Sequence, residues 1–134
     1  MDKQHTTSII HSALDDIRVL EIGQYVSGPY CSRLLADYGA NVMKIEPPLV
    51  GDPARGIGPF PNDVPNGEKS GLFLLLNMNK KGLTIDITTD PGSKLVKELI
   101  ETVDVLIENL PPGCLSSYGL GYDHLEKINP ALVM

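Results

Sequence analysis

The sequence predicts an α/β fold, a mostly parallel sheet with flanking helices, and two observations carry that prediction. Residues 17–48, IRVLEIGQYVSGPYCSRLLADYGANVMKIEPP, spell strand, loop, helix and strand in one compact unit, and farther on short apolar runs alternate with helical periodicity. Connections this short make a right-handed parallel crossover the simplest topology. The unit is half of a Rossmann-like wind.

Taken in order, residues 18–22 form the first strand: Val19, Leu20 and Ile22 are apolar and suited to a sheet, and Gly23 ends the run. Pro29 suits the first helical position, with Gly28 or Ser27 as the cap, and Gly39 suits the left-handed closing position. Tyr30, Leu34, Leu35 and Tyr38 share one helical face, which predicts packing of that face on the sheet. Residues 42–45 supply a second apolar strand. Between 47 and 71 prolines and glycines are so frequent that no regular element is expected to run through, and so long a loop points to function or disorder.

Ser70 opens a short helix that ends at Asn77, residues 83–87 alternate as a strand, and Asp90 and Pro91 open a helix reaching Val103. Residues 104–109 form a strand that is apolar in the middle and polar at its carboxyl end, where open α/β sheets place ligand contacts. Pro111, Pro112 and Gly113 start a turn of helix to Tyr118. A further short helix covers 122–128, Asn129 and Pro130 stop it, and residues 131–134 open one more strand, so the chain reads as ending inside a fold.

At 134 residues the chain has the size of one domain, and 42% apolar content suits a globular protein. Residues 1–13 read as a mobile N-terminal tail and 14–134 as the folded portion. No apolar run approaches the ~20 residues of a membrane helix, and the N-terminus lacks the basic and apolar regions of a signal peptide, so a cytoplasmic, soluble protein is expected. Seventeen acids against eleven bases give a net charge of −6, which argues against nucleic acid as a partner. Cys31 and Cys114 make neither a disulfide framework nor a zinc site and read as small packed residues.

Gly23 and Gly28 have the spacing of the first two glycines of a phosphate-binding loop, but Pro29 and Tyr30 stand where Lys and Ser or Thr are required. No G-x-G-x-x-G occurs either. A nucleotide hydrolase and a nicotinamide dehydrogenase are both disfavoured. Glu46, Asp52, Asp86, Asp104 and Glu108 read as strand ends, turns and helix starts rather than catalytic acids.

The order and spacing of several short motifs are more specific: RVLE at 18–21, GPYC at 28–31, LADYGANVMKIE at 35–46, Gly51 and Asp52 with Arg55 and Gly56, NMNKK at 77–81, DVLIEN at 104–109, Pro112 and Gly113, GLGY at 119–122, and Asn129 with Pro130. Together they resemble the N-terminal part of the family III CoA-transferases, the group of formyl-CoA and carnitine CoA-transferases and α-methylacyl-CoA racemases, over residues 14–134. The resemblance implies an incomplete, Rossmann-like large domain that cradles coenzyme A, and subunits interlocked as a homodimer. It implies transfer of CoA between an acyl-CoA and a small carboxylic acid through an aspartyl nucleophile that lies beyond this chain. No catalytic residue and no metal are therefore assigned within it.

The same resemblance assigns CoA contacts. Gln24, Tyr25, Val26 and Ser27 match the loop at the thiol arm, Ile85 and Thr88 the strand end beside the adenine, and Glu108, Asn109 and Leu110 the loop beside the pantetheine. Asn109 either hydrogen-bonds an amide of that arm or caps the next turn. Arg55, Lys80 and Lys81 are either cations for a phosphate or solvated surface charges. Pro47 and Ser117 stand where many members carry phosphate-binding arginines. The alternatives to a transferase fragment are a CoA-binding module or one completed by a separate C-terminal chain, a racemase-type fragment, and an interrupted gene product. A sheet ending at Met134 would expose an edge and apolar surface, which predicts self-association.

Overall fold

The structure is a computed structural model and describes residues 12–134. Its element order is β1 (Arg18–Ile22), α1 (Ser27–Asp37), β2 (Asn41–Glu46), α2 (Gly71–Leu76), β3 (Lys81–Thr84), α3 (Asp90–Ile100), β4 (Val105–Glu108), α4 (Cys114–Ser117) and α5 (Tyr122–Leu125). The strands form one sheet in the order β3-β2-β1-β4, every pair parallel. The α/β, parallel-sheet expectation holds. Apart from Ser12 and Ala13, the expected tail lies outside the described residues.

Helices lie against both faces of the sheet, so the central strands are buried on both sides as their near-continuous apolar sequences require. On one face Leu20, Ile22, Ile45 and Leu106 pack with Val96 and Ile100 of α3, Leu115 and Leu120. On the other, Val19 and Val42 meet Ala36 and Ala40 from α1 and its exit. The helix α3 is capped by Thr89, whose Oγ1 accepts from the Gly92 N–H at 3.2 Å, and Pro91 sits in its first turn.

Five expectations are corrected. The face of α1 that packs on the sheet is made of Gly28, Pro29, Ser32 and Ala36; of the four residues expected there Leu35 does pack against Val19 and Val42, whereas Tyr30, Leu34 and Tyr38 are 49%, 41% and 64% exposed. Small residues allow a helix to sit close to a sheet, and that close seat wins over the larger apolar stripe. Residues 47–71 are ordered by three short 3₁₀ turns, Pro53–Gly56, Pro61–Asp63 and Gly67–Lys69, two of them capped by the Asp52 and Asn66 side chains. The strand expected at 83–87 is instead Lys81–Thr84, because its register is set by pairing with Met43 to Glu46. Residues 131–134 make one parallel bridge, Val133 to Val105, rather than a strand. Cys31 is exposed rather than packed, and Cys114 is half-buried.

Candidate functional site

Strand order decides where a ligand fits. The chain runs β1, β2, β3 in one direction across the sheet and then returns to place β4 on the other side of β1, so the loops after β1 and β4 diverge at the carboxyl edge. Open α/β sheets bind ligands at such a switch point. A cavity of about 220 Å³ lies there. Ile22 and Gln24 line it from β1 and its loop, Ile45 and Pro47 from β2, and Ile85, Ile87 and Thr88 from the segment after β3. Leu110, Pro111, Cys114 and Tyr118 close the side toward α4. The lining is mostly apolar with a few polar groups, as small-molecule sites are.

Of the sequence-assigned residues, Gln24, Ile85, Thr88 and Leu110 thus converge on one cavity. The other assigned residues lie outside its lining. Tyr25, Val26 and Ser27 are exposed on the neighbouring loop and the start of α1. Glu108 turns back on its own strand end, its Oε2 accepting from the Leu110 N–H at 2.7 Å. Asn109 ties the loop after β4 to the loop after β1: its Oδ1 accepts from the Gln24 N–H at 2.7 Å, and its Nδ2 donates to the Gln24 carbonyl at 2.8 Å and to Ser27 Oγ at 3.0 Å.

Arg55, Lys80 and Lys81 are not among the residues that line the cavity. Arg55 grips Glu46 with two hydrogen bonds, from Nε at 2.7 Å and Nη2 at 2.8 Å, pairs with Glu68 at 3.1 Å and stacks over the Phe73 ring at 3.7 Å. Burial alone would raise the Glu46 carboxyl, but the Arg55 hydrogen bond, the Asp52 N–H and the charges of Arg55 and Lys44 hold it below the usual range. Glu46 in turn holds the Arg55 guanidinium above its ordinary value.

Lys80 is not a solvated surface charge. Its side chain is 2% exposed, and Nζ donates at 2.8 Å to Glu21 Oε2, the Pro29 carbonyl and Asn77 Oδ1, which uses all three protons. Burial pushes this ammonium down, against the pull of Glu21. Lys81 is exposed. Asp86, at the edge of the cavity wall, is lowered by hydrogen bonds from the Thr88 hydroxyl and N–H.

Sequence reasoning missed the feature that ties these parts together. Glu21 and Lys44 are register partners on β1 and β2, and with Asp52 and Lys80 they form a buried cluster of two acids and two bases. Lys44 Nζ donates to Glu21 Oε1 at 2.7 Å and to the Gly23 carbonyl at 2.9 Å. It also lies 2.9 Å from Asp52 Oδ2, at an angle that makes an ion pair rather than a hydrogen bond. Ser32 Oγ donates to Glu21 Oε2 at 2.5 Å. Asp52 Oδ1 accepts from the Tyr25 N–H at 3.0 Å and the Ala54 N–H at 2.8 Å, joining the long loop to the loop after β1. The signal available in the sequence was a charged residue in the middle of each of two apolar strands, in matched positions.

Among the described residues no group of three His, Cys, Asp or Glu is placed to hold a metal, and no helix is long and apolar enough to cross a membrane.

Comparison with known proteins places these features in context. The family model described as CoA-transferase family III matches residues 14–134. The chain is 46% identical over 124 residues to succinyl-CoA--D-citramalate CoA-transferase of Chloroflexus aurantiacus, covering 90% of this chain and 29% of the relative. It is 42% identical over 122 residues to formyl-CoA:oxalate CoA-transferase of Rhodopseudomonas palustris, covering 91% and 28%. Among solved structures, a variant of Rv3272 from Mycobacterium tuberculosis superposes with a TM-score of 0.81 at 38% identity, over 91% of this chain and 32% of that one. A CAIB/BAIF family protein from Brucella suis gives 0.81 at 36% identity with the same coverage. The chain spans less than a third of the length of the curated relatives it matches.

Proposed function

This chain belongs to CoA-transferase family III, and from that premise we propose that it supplies part of the CoA-binding surface of an enzyme moving CoA between an acyl-CoA and a small carboxylic acid. The observation that carries the reading is the cavity at the switch point. Four residues that the resemblance assigns to CoA, Gln24, Ile85, Thr88 and Leu110, line it together although up to 86 positions separate them in sequence. Its volume suits one end of CoA rather than the whole molecule, and its apolar lining suits the adenine or acyl end over a phosphate. The phosphates then fall to groups outside the cavity; Lys81 is exposed, whereas Arg55 and Lys80 are already paired.

The transfer itself is assigned to an aspartyl nucleophile outside these 134 residues, supplied by polypeptide of the same subunit, of a second copy or of a separate chain. A second reading, a CoA-binding module without activity of its own, is supported by the cavity that residues of this chain line by themselves. Both readings suit a cytoplasmic protein.

Calorimetric titration of the full chain with CoA tests the binding. Saturable binding is expected, and Ile85→Arg, which places a charge in the cavity wall, is expected to weaken it at least ~10-fold because an unpaired buried charge is costly. Wild-type protein without saturable binding would contradict the reading. Acyl exchange at rates ordinary for the family would contradict the placing of the nucleophile elsewhere.

A further inference from the structure

The Gly23 and Gly28 pair, spaced like a phosphate loop that the rest of the sequence does not complete, encloses a side chain from another strand. A Cβ on Gly28 would stand 2.9 Å from Asn109 Oδ1, and one on Gly23 would stand 3.3 Å from the same oxygen. The space that two side chains would fill is occupied by one carboxamide. That carboxamide accepts from the Gln24 N–H and donates to the Gln24 carbonyl and Ser27 Oγ, which uses both of its N–H groups and its oxygen on the loop after β1.

From the opposite side Asp52 Oδ1 accepts from the next backbone N–H, that of Tyr25. Asp52 is 1% exposed and is itself held by the Ala54 N–H and Lys44. Between the two anchors Tyr25 has φ of 60°, a left-handed backbone state that a residue with a side chain keeps when its surroundings hold it there.

We propose that Asn109 is a positioning residue that, opposite Asp52, clamps residues 24–27 in the shape the ligand meets, and that it does not itself recognise the ligand through its amide. Gly23 and Gly28 are then the seat of that clamp rather than a phosphate cradle. A loop already held in its bound shape loses less freedom on binding, so the clamp contributes affinity without contact. The identity of the ligand rests on the CoA reading above; the clamp does not.

Amide hydrogen exchange and CoA calorimetry on the full chain, in wild type, Asn109→Ala, Gly28→Ala and the double variant, test this. Asn109→Ala is expected to raise Gln24 exchange at least ~10-fold while Leu20 and Ile22 in β1 keep their protection, as for a local opening, and to weaken CoA binding at least ~5-fold. Gly28→Ala displaces the Asn109 carboxamide and is expected to reproduce both effects, and the double variant is expected to add little to either single one, since all three break one contact. Should Asn109→Ala not fold, Asn109→Asp carries the same test. It keeps the acceptor and loses both donors, and protection of the loop is expected to recover as the new carboxyl protonates and regains one.

Unchanged Gln24 exchange in Asn109→Ala, additive effects in the double variant, or a loosened loop with undiminished CoA affinity would each overturn the proposal. Wild-type protein that fails to bind CoA would overturn the ligand reading, and exchange alone would then decide the clamp.

Discussion

At the residue scale the structure turns on charges that are inside. Glu21 and Lys44 are 0% and 2% exposed, although each is a charged residue set between apolar neighbours of its strand. Their burial depends on Asp52, on Lys80 and on α1 lying over them, partners eight to 59 positions away, which strand periodicity does not reveal. Removing one member of such a cluster leaves an uncompensated buried charge. Lys44→Met is therefore expected to lower the unfolding free energy by about 3–5 kcal/mol, read from urea denaturation, whereas Lys94→Met, whose partner pair with Glu98 is exposed, is expected to change it by under about 1 kcal/mol. Glu46 gives a pH signature. Its folded carboxyl is lowered from 4.5, so its contribution to stability is present above that value and is lost as pH falls through the lower folded one. Amides of the Pro53–Gly56 turn are expected to lose exchange protection below about pH 4.5, and Glu46→Gln to abolish that acid step.

At the element scale the fold was largely legible, and the departures have physical causes. The first strand, the second strand, α3 and β4 are legible because apolar patterning, Pro91 at a helix start and glycines at ends are local signals. Register is not local: β3 sits two residues earlier than its alternation suggests because it follows β2. The packed face of α1 is not legible from periodicity because an apolar stripe signals burial somewhere, and here the small residues take the sheet. The cavity wall was legible only through resemblance, since Ile85 and Leu110 meet through topology. Two substitutions probe the elements. Thr89→Ala removes the cap of α3 and is expected to lower stability by about 1 kcal/mol, and Ile100→Ala, fully buried against β1 and β4, by about 2–5 kcal/mol, both read as shifts in the denaturation midpoint.

At the scale of the whole molecule, much apolar surface is left uncovered. Tyr30 and Leu34 on α1 and Tyr38 just after it, with Leu74, Leu75 and Met78 in and just after α2, are between 41% and 64% exposed, and β3 forms an edge of the sheet. Exposed apolar surface and unpaired strand edges favour association. Sedimentation velocity is expected to show a coefficient that rises with protein concentration, and Leu34→Arg to reduce that dependence. A family fold at the sheet's carboxyl edge is also expected to bind where its strands diverge. The decisive measurement is backbone-amide chemical-shift mapping of the full chain titrated with CoA. Saturable shifts centred on Gln24, Ile85, Thr88 and Leu110 are predicted; no saturable shift, or shifts confined to Arg55, Lys81 and the long loop, would contradict a CoA site at the switch point.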